Sequence, residues 1–495
     1  MVKTVVSDEA QSKTAEDRLF QSGITAQVGL VIGKLSPNSD RGLVYDLIPT
    51  PPTDRGDSAC SLKSEATGGG GGKDGKKGSK GGKPSAETPT SLIIDSDWVA
   101  EHARQVSRML LGGMTVVGIY LWASEATFKS TSPAVLAQVV KGVAQAAPFH
   151  NSEFSERLLI HVSYSPRRWA CRICTLSSGS LRPCDFKMAK LLSTFQAFRC
   201  TYNFEIRLPI SKAGTSGLTL KSAISKGITN LAKDLESAKA LISGNLVTED
   251  LQLSSESPHD VEFLMPFNKN ISNEECSSEE VAGLVTFSGA ICASAYLAPR
   301  EPISQAISDL KCDIISSLRS RLDINSDETE EEAALCSDGG MEASRDVLVE
   351  KSIHGLTLNE LQKPCSLTFP RRVLVPWLAG IFICDYLQAS ETFEDMKDHC
   401  KEMMSMEDPI ESSAVVDLEA EPSPETARSF WDVVHGHLTS PVDESRNDKH
   451  STKKEVHARQ SQRSNINFLY AILVLLSALL VGWAIVAFGR SNSQN

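Results

Sequence analysis

The sequence predicts an α+β (or α/β) protein built in packed layers. Three observations carry that prediction. Apolar runs of strand length, such as Ala26–Ile32 (AQVGLVI) and Met114–Trp122 (MTVVGIYLW), are bounded by glycine or polar residues. Segments with helical spacing alternate with them. The 495 residues are 41% hydrophobic, a globular share, and exceed what one ordinary core accommodates, so two or three domains plus linkers are expected.

The elements follow in order. Asp8–Gln21 reads as a helix with Ala15, Leu19 and Phe20 as apolar positions. Ala26–Ile32 is a buried strand closed by Gly33. Leu43–Ile48 is its partner, ending at Pro49, Pro51 and Pro52. Residues 53–91 are an insertion. Within it, Gly68–Lys83 holds nine glycines and five lysines, too little apolar surface to offset the entropy of ordering. Asp97–Leu110 is a helix that Asp95, Ser96 or Asp97 can cap, with Trp98, Val99, Ala103, Val106, Met109 and Leu110 near helical spacing; Gly112-Gly113 stops it. Met114–Trp122 is then a buried strand and Ala134–Ala147 a helix. Strands are expected at Leu158–Tyr164, Arg168–Thr175 and Thr201–Leu208, and a long helical stretch at Leu218–Ile242. These make an N-terminal domain over 1–245.

A second, smaller α/β domain is expected over 258–404. Val281–Leu297 supplies one or two strands interrupted by Gly289, and Ile303–Leu322 an amphipathic helix. Residues 326–344 form an acidic loop. Arg372–Trp377 and Gly380–Tyr386 make a hairpin, and Ser390–Met404 a closing helix. Residues 405–465 are polar and aperiodic, and between Glu391 and Glu425 stand twelve acidic and two basic residues. That stretch is expected to be a disordered acidic spacer.

Phe468–Phe488 (FLYAILVLLSALLVGWAIVAF) carries no charge over 21 residues. At about 1.5 Å per residue it spans roughly 30 Å, the hydrocarbon thickness of a bilayer. It is expected to be a single transmembrane helix. Lys453, Lys454, Arg459 and Arg463 precede it and only Arg490 follows, which directs the N-terminal bulk to the cytosol. The N-terminus MVKTVVSDEAQSKTAEDRLF lacks the apolar stretch of a signal peptide, so the span reads as a tail anchor. A formal charge of −12 argues against nucleic acid as partner. Twelve irregularly spaced cysteines suit a reducing compartment. The sequon Asn270-Ile271-Ser272 is expected to be unused.

Candidate chemistry is sparse. Cys171 and Cys174, with Cys184 and Cys200 downstream, offer four thiols but only one close pair, and on a strand positions three apart face opposite sides. His435-Gly436-His437, with Ser440 and Asp443, lies in the polar spacer, where no element holds ligands rigidly. Gly70, Gly75 and Lys76 approach a phosphate-binding loop, but Lys77 stands where Ser or Thr would bind magnesium. No catalytic, cofactor-binding or metal-binding residue is assigned, and no cofactor is expected.

Three stretches together resemble one family. They are GLVIG (Gly29–Gly33), WVAEHARQVSRMLLGGMTVVGIY (Trp98–Tyr120), and the pair RRVLVPW (Arg371–Trp377) and IFICDYL (Ile381–Leu387). Their order and spacing, with the terminal apolar segment, are similar to the odr-four-like family, named for an odorant-response defect. The glycine-lysine insertion departs from the animal pattern. The resemblance implies a single-pass protein of the endoplasmic reticulum membrane that helps client membrane proteins, in animals some G-protein-coupled receptors, reach their destination. It also implies a link to the protease of the ubiquitin-fold modifier, recruited to that membrane as a heterodimer partner.

The N-terminal part also resembles an MPN domain, the fold of JAMM metalloproteases. Gly29-Leu30, Gly33, Gly118 and Tyr120 match that pattern. Ala26 stands where the family has its catalytic Glu, and Leu121 and Ala123 where it has two zinc-binding His. Neither Leu nor Ala offers a lone pair to a metal, so the resemblance implies an inactive relative. The function expected is that of a non-catalytic, tail-anchored adaptor for client membrane proteins. The alternatives are a scaffold for the modifier protease and, of another class, a membrane-bound hydrolase with an unrecognised site.

Overall fold

In the computed structural model, which describes residues 2–36, 39–63, 90–149, 154–211, 219–248, 257–266, 281–337, 369–388, 390–406 and 410–419, the first elements are built around one capping carboxylate. Strand β1 (Thr4–Asp8) ends on Asp8, whose Oδ1 accepts the Ala10 and Gln11 N–H groups and so starts helix α1 (Glu9–Gln21). Its Oδ2 accepts the Leu191 and Leu192 N–H groups at 3.0 and 3.1 Å, tying the chain start to a distant turn.

Strands β2 (Gln27–Lys34) and β3 (Arg41–Pro49) pair antiparallel. The expected insertion at 53–91 is narrower than the composition indicates. Its flanks form a short ladder, β4 (Cys60–Leu62) on β5 (Leu92–Ile94), which seats Cys60 and Leu92 in the core; residues 64–89, with Gly70, Gly75, Lys76 and Lys77, lie outside the described residues. Helix α2 (Ser96–Met109) is capped by Asp95, which accepts the Trp98 N–H at 3.0 Å, and buries Val99, Ala103, Val106 and Met109. Then come β6 (Thr115–Trp122), α3 (Glu125–Ser130), α4 (Pro133–Ala146), β7 (Glu156–Tyr164), β8 (Arg167–Thr175) and β9 (Ser180–Ala189). The last strand pairs parallel with β1 and closes a seven-stranded barrel in the order β1-β3-β2-β6-β7-β8-β9.

Alternation along the strands gives the barrel wall two apolar faces. On β2 and β6, Val28, Leu30, Ile32, Val116, Ile119 and Leu121 pack with α2 and α4, whereas Val31, Val117, Tyr120 and Trp122 pack with Ala15 and Leu19 of α1. Glycine is required where strands approach most closely. A Cβ on Gly33 would overlap Leu43 O, and one on Gly118 would overlap Leu158 O. Both obstacles are backbone, so neither can swing aside. Gly118→Ala is expected to lower stability by about 2–4 kcal/mol, read as a fall in the thermal midpoint.

The second sheet begins earlier than a boundary at 245 implies. Strand β10 (Gln196–Ser211) leads to α5 (Leu220–Ser237), β11 (Lys239–Ile242), β12 (Asn245–Leu246), β13 (His259–Leu264) and β14 (Val281–Leu297). The sheet order is β12-β11-β13-β10-β14, so residues 196–246 share its hydrogen bonds and its core. The long helix expected over Leu218–Ile242 stops at Ser237, because Ala240, Leu241 and Ile242 turn extended to pair with β13. Gly289 does not interrupt β14, which pairs with β10 along its whole length.

Helix α6 (Ile303–Ser337) covers this sheet and runs into the acidic loop expected at 326–344. Its first acidic residue there, Asp327, is paired with Arg104 and Arg108 of α2, and the following run is rich in Glu, Ala and Leu, all good helix formers. A hairpin, β15 (Arg371–Leu378) with β16 (Ile381–Leu387), and α7 (Phe393–Met404) then pack back on the first core. The spacer expected over 405–465 also starts later. Residues 410–419 dock on the hairpin, with Val416 bridged to Leu374 and Glu419 buried against Arg321.

All described residues fall in one unit, Met1–Leu438; the second unit, Thr439–Asn495, lies outside them. The span expected at 468–488, the group His435, His437, Ser440 and Asp443, and the sequon at Asn270 also lie outside the described residues. Among the described residues no helix is long and apolar enough to cross a membrane.

Candidate functional site

The barrel brings Ala26, Leu121 and Ala123 to one end of the β2–β6 ladder. Val28 faces Leu121 and Gln27 faces Trp122 across β2 and β6, so Ala26 and Ala123 flank the end of that ladder. Ala26, Leu121 and Ala123 are 4%, 0% and 0% exposed and belong to one apolar core with Val28 and Phe128. Nothing in these side chains can donate electron pairs to a cation.

The neighbouring strand adds a histidine that sequence reasoning missed. His161 of β7 lies beside Leu121 in parallel register. Its Nε2 is 3.1 Å from Ala123 O, its Nδ1 is 3.7 Å from Glu125 Oε2, and its ring stacks on Phe128 at 4.0 Å. Burial lowers its pKa despite the Glu125 carboxylate. With Nε2–H given to a carbonyl and the other face stacked, the ring locks the β6–α3 corner. Among the described residues no three His, Cys, Asp or Glu side chains converge to hold a metal.

The four thiols are dispersed. Cys171 faces Cys184 across β8 and β9, Cys174 packs in the opposite core, and Cys200 lies in the second sheet. A hydrogen bond between Cys171 and Cys184 raises the first thiol and lowers the second, while burial raises Cys174.

One cleft, of about 360 Å³, opens between α2, α6, β16 and α7. On one wall Arg104 and Arg108, a turn apart on α2, both donate to Asp327 Oδ2, at 3.0 and 2.9 Å. On the other, His399 Nδ1 lies 2.9 Å from Asp385 Oδ2, and Asp385 Oδ1 accepts the Tyr386 N–H. Burial works against the imidazolium, but the Asp385 hydrogen bond and charge outweigh it and raise the His399 pKa. This is an acid–base pair without a nucleophile beside it: among the described residues no Ser, Thr or Cys lines the cleft.

The cleft walls hang on a polar stripe of α6. Asp309, Asp313 and Arg321 lie on four-residue spacing, one face of the helix. Asp309 takes Lys34 of β2 at 2.7 Å, Asp313 takes both terminal nitrogens of Arg372 on β15 at 2.8 Å, and Arg321 takes Glu419 at 2.6 Å. The helix thereby clamps the barrel, the hairpin and the 410–419 segment to the second sheet.

A family model described as odorant response abnormal 4-like matches residues 29–415, from the first glycine of β2 to the segment beyond α7. The chain belongs to the odorant response abnormal 4-like family. The protein odr-4 homolog of Mus musculus is 25% identical over 348 residues, covering 66% of this chain and 71% of the relative. That of Homo sapiens is 27% identical over 63% of this chain and 69% of its own, and that of Dictyostelium discoideum 26% over 65% and 67%. Superposition on the crystal structure of UfSP from C. elegans covers 86% of this chain and 61% of that one at 9% identity, with a TM-score of 0.38, a level that decides nothing about the fold. Both the α2–β6 run and the hairpin lie within the odorant response abnormal 4-like match, and so does every residue of the cleft.

Proposed function

We propose that this chain is a non-catalytic adaptor that supports the localisation of client membrane proteins, tethered by its C-terminal apolar segment to the endoplasmic reticulum with its folded bulk in the cytosol. Membership of the odorant response abnormal 4-like family supports this reading. The observation that carries it is the fill of the positions matched to the catalytic Glu and the two zinc-binding His: Ala26, Leu121 and Ala123 are buried apolar groups. We read the barrel as an MPN-like domain that has exchanged chemistry for packing. Inactive domains of that kind act as pairing partners, an analogy that favours a scaffold.

The second adaptor reading is recruitment of the ubiquitin-fold-modifier protease as a heterodimer partner. Affinity capture of tagged full-length chain from detergent extract separates the two. Client receptors in the eluate, with receptor mislocalisation in a null mutant, support the first. The protease at near-equal amount supports the second. Normal localisation of every tested client in the null mutant defeats the trafficking reading. The hydrolase reading has one point in its favour, the His399–Asp385 pair in a cleft, and turnover of a modifier-linked substrate by the purified chain alone would establish it over both.

A further inference from the structure

Residues 410–419 form a strap beyond α7. Val416 and Leu374 exchange both backbone hydrogen bonds at 2.9 Å, which adds one bridge to the edge of β15. Asp417 pairs with Arg371 at 3.1 Å. Glu419 enters a socket built from three elements. Its Oε1 accepts the Cys292 N–H of β14 at 3.0 Å and Arg321 Nη2 of α6 at 2.8 Å. Its Oε2 accepts the Arg372 N–H of β15 at 2.8 Å and the same guanidinium at 2.6 Å. The Glu419 and Arg321 side chains are 3% and 8% exposed.

This socket reads a carboxylate by charge and by two fixed backbone donors, a geometry that a neutral side chain cannot match. The strap reads as an extended segment with carboxylates two residues apart, the repeat of a strand. Ile410, Val415 and Val416 add half-buried contacts with the first core, and no strap side chain is an apolar plug. Leu418 stays 43% exposed, and the turn at Ser412–Ala414 buries no residue. A segment fixed by one backbone bridge, two carboxylates and half-buried side chains only, with no fully buried apolar anchor, is exchangeable for another of the same chemistry.

We propose that this socket is a recognition site for an extended acidic segment of a partner, with carboxylates two residues apart, held closed in the resting chain by its own Val416–Glu419. The site stands apart from the adaptor reading and does not depend on it.

The test uses full-length chain in detergent and a fluorescent peptide of residues 412–420, SSAVVDLEA, followed by anisotropy. The hosts are the wild type, Glu419→Gln and Val416→Pro. Both variants are expected to bind the peptide at least about tenfold more tightly than the wild type, because the competing segment has been weakened. Their residue 415–419 amides are expected to lose protection from hydrogen exchange. A peptide carrying Gln in place of Glu419 is expected not to bind any host. Val416→Pro removes no charged side chain, so it carries the test if Glu419→Gln fails to fold. Peptide binding to the folded variants no tighter than to the wild type, or equal binding of the Gln peptide, overturns the proposal.

Discussion

Replacing Arg372 with methionine is expected to destabilise the chain by about 3–5 kcal/mol, the largest single effect in the polar stripe of α6. Arg372 and Asp313 have side chains only 1% exposed, joined by two hydrogen bonds of 2.8 Å. Asp313 also accepts the Ser294 N–H, and Arg372 donates to Cys292 O. Removing the guanidinium strands a carboxylate among apolar neighbours, where no solvent compensates it. The net worth of the intact pair is far smaller, because desolvating both ions offsets most of their attraction. A double variant, Arg372→Met with Asp313→Leu, should therefore regain most of the loss. The residual deficit should be about 1–3 kcal/mol, from the orphaned Ser294 N–H. Urea unfolding of the three proteins separates the terms. A single variant no weaker than the double one would mean that the carboxylate is not isolated after all.

That pair marks the limit of what the sequence discloses. The GLVIG strand, the α2 helix, β6 and the hairpin are legible because each carries a local signal: a glycine, a cap, an apolar run, a two-residue turn. The same glycines that resemble a metalloprotease pattern have a packing reason here, since Leu43 O and Leu158 O leave no room for a Cβ. Strand β9 is missed because Pro183 breaks its pattern and its apolar residues are few; its place is fixed by pairing with β1, far away in sequence. Strand β1 is missed because Thr4–Asp8 runs directly into a helix. The domain boundary is misread because β10 looks like one more strand of the first block, and only hydrogen bonding to β14 assigns it.

The candidate site follows the same rule. That Ala26, Leu121 and Ala123 offer a cation no electron pair is legible from their identity alone. His161 and Glu125, or His399 and Asp385, acquire meaning only when the fold brings them within a few ångströms. Glu419 is the extreme case: in a run of acidic residues nothing distinguishes it, yet it is the one that a three-element socket receives.

Lowering the pH from about 6.5 to 4 is expected to cost about 3 kcal/mol of stability through His102 alone. This side chain joins three elements. It is 3% exposed on α2, its Nε2 lies 2.9 Å from Met403 O in α7, and its Nδ1 lies 3.3 Å from Thr50 Oγ1. A proton on Nε2 serves the carbonyl, which leaves Nδ1 to accept from the threonine. Burial pushes its pKa down to about 4. The unfolded chain takes up a proton near pH 6.5 and the folded chain does not, so stability is full above 6.5 and is lost as pH falls towards the folded value. His102→Gln, which keeps a donor for Met403 O and cannot titrate, should flatten that slope. Asp46, whose carboxyl is pushed up to about 6 by burial, acts in the opposite sense over an overlapping range. The informative quantity is therefore the difference between wild type and variant in the pH dependence of the urea midpoint. Parallel curves for the two proteins between pH 7 and 4 would show that His102 titrates alike in the folded and unfolded chain, and the α2–α7 junction would then need another account.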